Sequence, residues 1–205
     1  MPHTIFTNQV PAIPDVDEDA PNQTLGTTWY TEDDGAVNAI RFYLGSRNYD
    51  GAEMTGGLYN ADTQELLGQG SYTITASDDI GFVEIPLSNA VVVERNQKYI
   101  AAVLFPGQAS SPDARVHYAA TGGFFLANGV DNSPLHAYKD NGLFLTERNG
   151  LFVNGTTLTF PTSTFGGGCY FVDVVFDYTT QVKLRTSGSW TTYPLKTRVG
   201  GNWQL

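Results

Sequence analysis

Helical periodicity is nearly absent from this 205-residue chain. In its place run short segments of period-two alternation, or of β-branched and aromatic residues, each closed by Gly, Pro, Asn or Asp. Val37–Leu44 sets Ile40, Phe42 and Leu44 on one face of an extended strand. Tyr99–Phe105 is a near-continuous apolar strand closed by Pro106-Gly107. Further strands are expected at Thr24–Thr31, Gly57–Asn60, Leu66–Thr75, Val116–Ala120 and Cys169–Tyr178. Gly81–Pro86 and Val91–Val93 read as two more, separated by a Ser88-Asn89 loop. Ile5–Pro14 looks extended, with Pro11 and Pro14 confining it to an edge or a linker. Gly35, after Glu32-Asp33-Asp34, is expected to supply the positive φ of a tight turn.

From Gly122 to Gly168 the turn signals crowd together: Asn128-Gly129, Asn141-Gly142, Asn149-Gly150 and Asn154-Gly155, with Gly166-Gly167-Gly168 as a bend before the last strand. This pattern predicts an all-β fold, an antiparallel two-sheet β-sandwich that is jelly-roll-like. The expected body covers residues 1–180, with a short β-strand appendage over 181–205.

The appendage says one thing twice. Val182-Lys183-Leu184-Arg185-Thr186-Ser187-Gly188-Ser189-Trp190 is followed, thirteen residues on, by Leu195-Lys196-Thr197-Arg198-Val199-Gly200-Gly201-Asn202-Trp203. The shared pattern is aliphatic-Lys-x-Arg-x-x-Gly-x-Trp. Two copies of so short a unit cannot bury a core of their own and need another surface to pack on. That marks the tail as an assembly or attachment element. Its expected anchors are Trp190 and Trp203, because Trp and Arg are enriched where proteins meet. Lys183, Arg185, Lys196 and Arg198 are expected to assist them.

Charge divides at the same place. Residues 181–205 carry four cations and no acid, while the body holds 7 basic and 21 acidic residues, a net −14. An acidic body repels phosphate backbones, so nucleic acid is not an expected partner. The basic tail either docks on a neighbour's acidic surface or is the solvent face of two strands. Charged residues make up only 16% of the chain, below the roughly 25% usual for soluble domains. Such weakly charged polar surfaces are common in extracellular and viral β-proteins.

No stretch approaches 18 apolar residues, so membrane insertion is not expected. Met1-Pro2-His3-Thr4 lacks the basic and apolar regions of a signal peptide, so synthesis and folding in a cytoplasm are expected. Cys169 is the only cysteine and reads as a buried, inert thiol.

Catalytic and metal patterns are thin. His3, His117 and His136 form no His-x-x-x-His pair and have no cysteine beside them, so zinc is not expected. No Gly-x-Ser-x-Gly elbow occurs, and the glycine run is not followed by Lys-Ser or Lys-Thr. Asp33-Asp34 and Asp78-Asp79 are paired acids, but a glycosidase needs its two carboxylates across a cleft, and solvated turns explain these pairs. Asp15-Val16-Asp17-Glu18-Asp19 offers the hard oxygens calcium prefers, without the Gly-containing loop of an EF-hand. No cofactor is expected.

Asp131, Asn132 and His136 either stabilise their own loop or line a ligand groove. Exposed rings would suit a glycan platform. Trp29, Trp190, Trp203 and the tyrosines of Tyr43–Tyr59 are the candidates, though most aromatics of a sandwich are core.

Several segments in order resemble the bacterial domain of unknown function DUF4082, found in secreted multidomain proteins and phage structural proteins. They are Ile40-Arg41-Phe42-Tyr43-Leu44-Gly45, Gly56-Gly57-Leu58-Tyr59-Asn60-Ala61, Phe82-Val83-Glu84-Ile85-Pro86-Leu87 and Lys98-Tyr99-Ile100-Ala101-Ala102-Val103. Val130-Asp131-Asn132-Ser133-Pro134-Leu135-His136-Ala137 and Tyr170-Phe171-Val172-Asp173-Val174-Val175-Phe176 complete the set. The resemblance covers roughly residues 5–178, with Tyr59 where that family often has Trp. It implies a β-sandwich with a surface or virion role and supplies no catalytic residues.

The tail separately resembles the C-termini of structural proteins from phages of actinobacteria, especially minor tail proteins. The expectation is therefore a non-enzymatic virion protein, assembled in the host cytoplasm, most simply a minor tail protein. A capsid decoration protein or head fibre is the alternative, and a carbohydrate-binding module for host cell-wall glycan is a second one. Expected partners are other virion proteins, further copies of the chain, and host surface glycan under the last reading.

Overall fold

A computed structural model of the chain describes residues 2–16, 22–45, 50–106, 116–142 and 147–178 in full. The strands at 181–186, 189–194, 197–199 and 202–204 are described at the level of backbone pairing. The body strands are β1 (Gln23–Thr31), β2 (Gly35–Leu44), β3 (Glu53–Asn60), β4 (Leu66–Thr73), β5 (Gly81–Val93) and β6 (Tyr99–Phe105). After a single helical turn α1 (Phe124–Ala127) come β7 (Val130–Asn132), β8 (Leu135–Ala137), β9 (Leu151–Asn154), β10 (Ser163–Thr164) and β11 (Val172–Tyr178). The tail contributes β12 (Gln181–Thr186), β13 (Ser189–Pro194), β14 (Thr197–Val199) and β15 (Asn202–Gln204). No helix among the described residues is long and apolar enough to cross a membrane.

The body is the expected all-β sandwich, with unequal sheets. The larger runs β10-β9-β1-β6-β3-β4, with the β7–β8 hairpin added beside β1; the smaller runs β11-β2-β5, and every pairing is antiparallel. Between them lies one core in which Leu25, Trp29, Ile40, Phe42, Met54, Leu58, Ile85, Val103, Val174 and Phe176 are buried. The alternation of β2 delivers Ile40, Phe42 and Leu44 to that core as the sequence predicts. Strand β6 is apolar on both faces because a second cluster, Tyr59, Ile100, Ala102, Leu151 and Phe160, covers its outer side.

Four expectations about local structure are corrected. Gly35 is not in the left-handed region; it opens β2. Its requirement is spatial, since a Cβ there would lie 2.2 Å from the ring of Phe176. The Ser88-Asn89 loop does not exist, because β5 runs unbroken through it. The strand expected at Val116–Ala120 reduces to one bridge, Ile13 to Ala120. The last strand starts at Val172 rather than at Cys169, which forms an isolated bridge with Thr121.

The sheet edges are dealt with individually. Strand β10 is only two residues long. Strand β4 lies against β5: Ser88 Oγ donates to the Gln69 carbonyl at 2.9 Å, and a Cβ on Gly70 would sit 1.9 Å from the Pro86 carbonyl oxygen. The outer edge of β11 is taken by the N-terminal segment, where His3 and Phe176 exchange both backbone hydrogen bonds, at 2.7 and 2.9 Å.

Along β1, β9 pairs with Gln23–Gly26 and β8 with Trp29–Thr31, leaving Thr28 in a gap on that side. The buried side chain of Asn149 fills the gap. Its Oδ1 accepts from Thr28 N at 3.0 Å, and its Nδ2 donates to the carbonyls of Thr28 and Tyr138 at 2.9 and 2.8 Å. A primary amide offers the same donor and acceptor as a peptide group, so Asn149 continues the ladder where the strands are interrupted. Gly150, at φ +67, turns the chain out of this position.

Candidate functional site

The hairpin β7–β8 sets Asp131 directly opposite His136, and strand β8 sets His136 opposite Tyr30 of β1. Directly opposite residues of an antiparallel pair share one face. The result is a cluster at the end of β1. His136 Nδ1 lies 2.8 Å from Asp131 Oδ1. Its Nε2 lies 3.3 Å from Glu32 Oε1, too poorly aligned for a hydrogen bond. The imidazole stacks on Tyr30 with centroids 4.7 Å apart and planes at 15°. Tyr138 continues the row at 5.0 Å from Tyr30, and Lys98 Nζ stands 5.3 Å from the Tyr138 centroid.

The loop closes over Glu32. Ser133 Oγ donates to Glu32 Oε2 at 2.8 Å, and Glu32 N donates to the Pro134 carbonyl at 2.9 Å. Asn132 goes elsewhere: one residue along the strand it faces the other way, and its Nδ2 donates to the Thr4 carbonyl at 2.7 Å. Of the three residues read as either stabilising their own loop or lining a groove, the structure brings Asp131 and His136 together and sends Asn132 to the N-terminal segment.

The Ser133 hydrogen bond, with His136 adding to it, holds the Glu32 carboxyl below the ordinary glutamate range. Burial raises the Tyr30 phenol, reinforced by Asp131 and Glu32, and burial pushes Tyr138 up to about 12. A carboxyl depressed in the folded chain stabilises the fold above its unfolded pKa. That contribution is lost as pH falls through the folded value. Glu32→Gln should therefore flatten part of the acid-side loss of stability, read from thermal melts between about pH 3 and 6. An unchanged profile would show that Glu32 does not hold this loop.

A nucleophilic relay needs a hydroxyl or thiol at the imidazole nitrogen that does not face the carboxylate. Here Nε2 faces a second carboxylate, and the Ser133 hydroxyl is spent on Glu32. The cluster instead clamps the hairpin to β1 and leaves partly exposed rings beside two exposed acids.

Trp29, one of the rings considered for a glycan platform, belongs to the core instead: it is fully buried, against Tyr99 at 5.4 Å. Tyr59 is buried too. Cys169 is a buried free thiol, its pKa pushed up by burial. Among the described residues no three His, Cys, Asp or Glu side chains are grouped to hold a metal. Asp17, Glu18 and Asp19 of the acidic segment lie outside the described residues.

In the tail, each repeat contains a hairpin. Strands β12 and β13 pair with Arg185 opposite Trp190, and β14 and β15 pair with Arg198 opposite Trp203. The register closes at Thr186 opposite Ser189 and at Val199 opposite Asn202, so the two strand pairs share one register at equivalent positions. In the first hairpin Lys183 pairs with Thr192 and Val182 with Tyr193. Lys196 lies outside the described residues.

Sequence reasoning passed over a second polar centre, Asp173 with Arg41. Asp173 is completely buried, and Arg41 Nη2 approaches its Oδ2 at 2.5 Å. Burial raises the Asp173 carboxyl, with Arg41 and the Ile5 and Val174 amides pulling it back. The available signal was an acid inside the apolar run Val172-Asp173-Val174-Val175-Phe176.

Residues 8–172 match the family model described as Domain of unknown function (DUF4082). The match stops short of the tail repeat. No curated protein matches the chain.

Proposed function

We propose that this chain, which belongs to the DUF4082 family, is a non-enzymatic structural protein of a tailed-phage virion. Its place is at the particle surface, as a minor tail protein. The body is the displayed module, and residues 181–205 are the attachment element. The observation that supports this most is the repeated hairpin, which sets an arginine directly across from a tryptophan twice at one register. Arg and Trp are the residues that most often carry binding energy at protein interfaces. A net +4 tail beside a −14 body also favours docking on an acidic protein surface. The resemblance of the tail to phage virion proteins supplies the setting.

A second reading, glycan recognition by the body, is favoured by the row of Tyr30, His136 and Tyr138 beside Glu32 and Asp131. Rings flanked by carboxylates offer stacking faces and hydroxyl acceptors. The two readings differ in where the binding energy lies.

Deleting residues 181–205 should remove the protein from purified particles, scored by immunoblot, while the body keeps its own melting transition. Incorporation of the truncated chain at the normal level would sink the attachment role. If the body alone binds cell-wall glycan and loses it in Tyr138→Ala, the second reading stands. Antibody labelling of intact particles separates the placements. Label at the tail fits a minor tail protein, label over the shell a capsid decoration protein or head fibre, and no label ends the virion reading.

A further inference from the structure

Asn-Gly pairs stand at Asn128, Asn141, Asn149 and Asn154. Such a pair carries a reaction of its own. The glycine nitrogen attacks Cγ of the asparagine side chain and gives up its proton to a base. The Cγ–Nδ2 bond breaks, and Nδ2 leaves as ammonia. The product is a cyclic succinimide. Water then adds to one of its two carbonyl carbons and opens it to aspartate or to isoaspartate. Glycine favours the closure because it has no Cβ to obstruct the turning of the peptide.

The pairs are alike in sequence, and the fold treats them differently. Asn149 is completely buried, and its leaving group is held: Nδ2 donates to the Thr28 and Tyr138 carbonyls at 2.9 and 2.8 Å. Asn154 is exposed, but it pairs with Gln23 at the end of β9, and Gly155 N donates to the Asn22 carbonyl at 2.9 Å. A peptide carbonyl is too weak a base to take that proton. At Asn128 the following residue is hemmed in by backbone. A Cβ on Gly129 would lie 2.3 Å from the Ala137 carbonyl oxygen and 3.1 Å from Lys139 N.

Asn141-Gly142 has none of these restraints. Both residues are exposed, and nothing lies within 4 Å of a Cβ built on Gly142. Water therefore reaches the pair, and its peptide has room to turn. The attacking nitrogen also faces a base, since Gly142 N donates to Asp140 Oδ1 at 3.0 Å. A carboxylate at hydrogen-bond distance from the proton to be removed is the geometry general-base catalysis needs. The neighbouring contacts keep the segment in place: Asn141 N donates to the Glu147 carbonyl at 3.0 Å, and Arg148 Nη2 to the Gly142 carbonyl at 3.1 Å.

We infer that Asn141 is a self-modification site, where Gly142 N displaces the side-chain amide, Asp140 takes the proton, and water converts the ring to aspartate and isoaspartate in the folded protein. Each event adds one negative charge beside Asp140. The isoaspartate product also lengthens the main chain by one methylene, between the contacts to Glu147 and Arg148. The inference does not depend on the virion proposal.

The test is to age the full-length folded protein in heavy-oxygen water at neutral pH, digest it in ordinary water and map the peptides by mass spectrometry. Only rings opened during ageing carry the heavy oxygen. Label should be at least about tenfold higher at Asn141 than at Asn154, where a ladder hydrogen bond must break first. The same margin is expected over Asn128. Label at Asn149 should be roughly a thousandfold lower, because that residue reacts only through local opening of the body. No label at Asn141, or as much at any of the other three, overturns the site.

Ageing in guanidinium chloride should bring the four positions together, since the fold creates the difference. Selectivity that persists in the unfolded chain overturns the structural argument. Asp140→Asn keeps a hydrogen-bond acceptor and removes the base. It should slow labelling at Asn141 by about tenfold or more. An unchanged or faster reaction in that variant, with its melt intact, overturns the part assigned to Asp140.

Discussion

Asp173→Ala should destabilise the body by about 3–5 kcal/mol, the usual cost of stripping one partner from a buried charge pair. The carboxylate collects two contacts from Arg41 and one each from the amides of Ile5, Phe6 and Val174. Its removal leaves a largely buried guanidinium and three amides without their acceptor. For a chain of this size each kcal/mol moves Tm by about 2–4 °C, so the melt should fall by roughly 6–20 °C. The double variant Arg41→Ala/Asp173→Ala should be less damaged than the sum of the singles, because it removes the orphaned charge as well. Strictly additive losses in urea melts would show that the pair is not coupled.

Gly150→Ala should be as severe, about 4 kcal/mol or more. Two penalties meet there. The residue stands at φ +67, where an alanine costs about 1–2 kcal/mol. Its Cβ would also lie 1.7 Å from the carbonyl oxygen of Gly168, a backbone atom that no side-chain rotation can move aside. Gly142 provides the comparison, with φ +69 and nothing within 4 Å of the added carbon. Gly142→Ala should lose only the conformational penalty of about 1–2 kcal/mol. Equal losses at the two sites, measured by urea denaturation, would remove the steric argument.

That pair also shows how far local sequence carries. Asn141-Gly142 and Asn149-Gly150 look alike as dipeptides, and both glycines are left-handed as expected. Only the fold makes Asn149 a buried link in the β1 ladder, because the gap it fills is created by strands distant in sequence. Strand β2 was legible because its alternation faces one core. Strand β5 was divided in error because Ser88 and Asn89 read as turn residues. In the fold Ser88 serves β4 through the Gln69 carbonyl while the strand continues.

The clamp at His136 was half legible. Asp131 and His136 stand in one loop cluster in the sequence, but the stacking of His136 on Tyr30 requires β1 to arrive alongside. The separation of Asn132 from Asp131 could have been read from alternation alone. The tail repeat was evident in sequence, whereas its equivalence as two hairpins of one register needed the pairing itself.

The treatment of the sheet edges has a bearing on crowding. Exposed strand edges are templates for cross-β growth, and short strands or covered edges suppress it. Here one edge ends in a two-residue strand, β4 and β5 cover one another, and β11 is already paired with the N-terminal segment. Bodies built this way can stand side by side at high local density without being drawn into a common fibre.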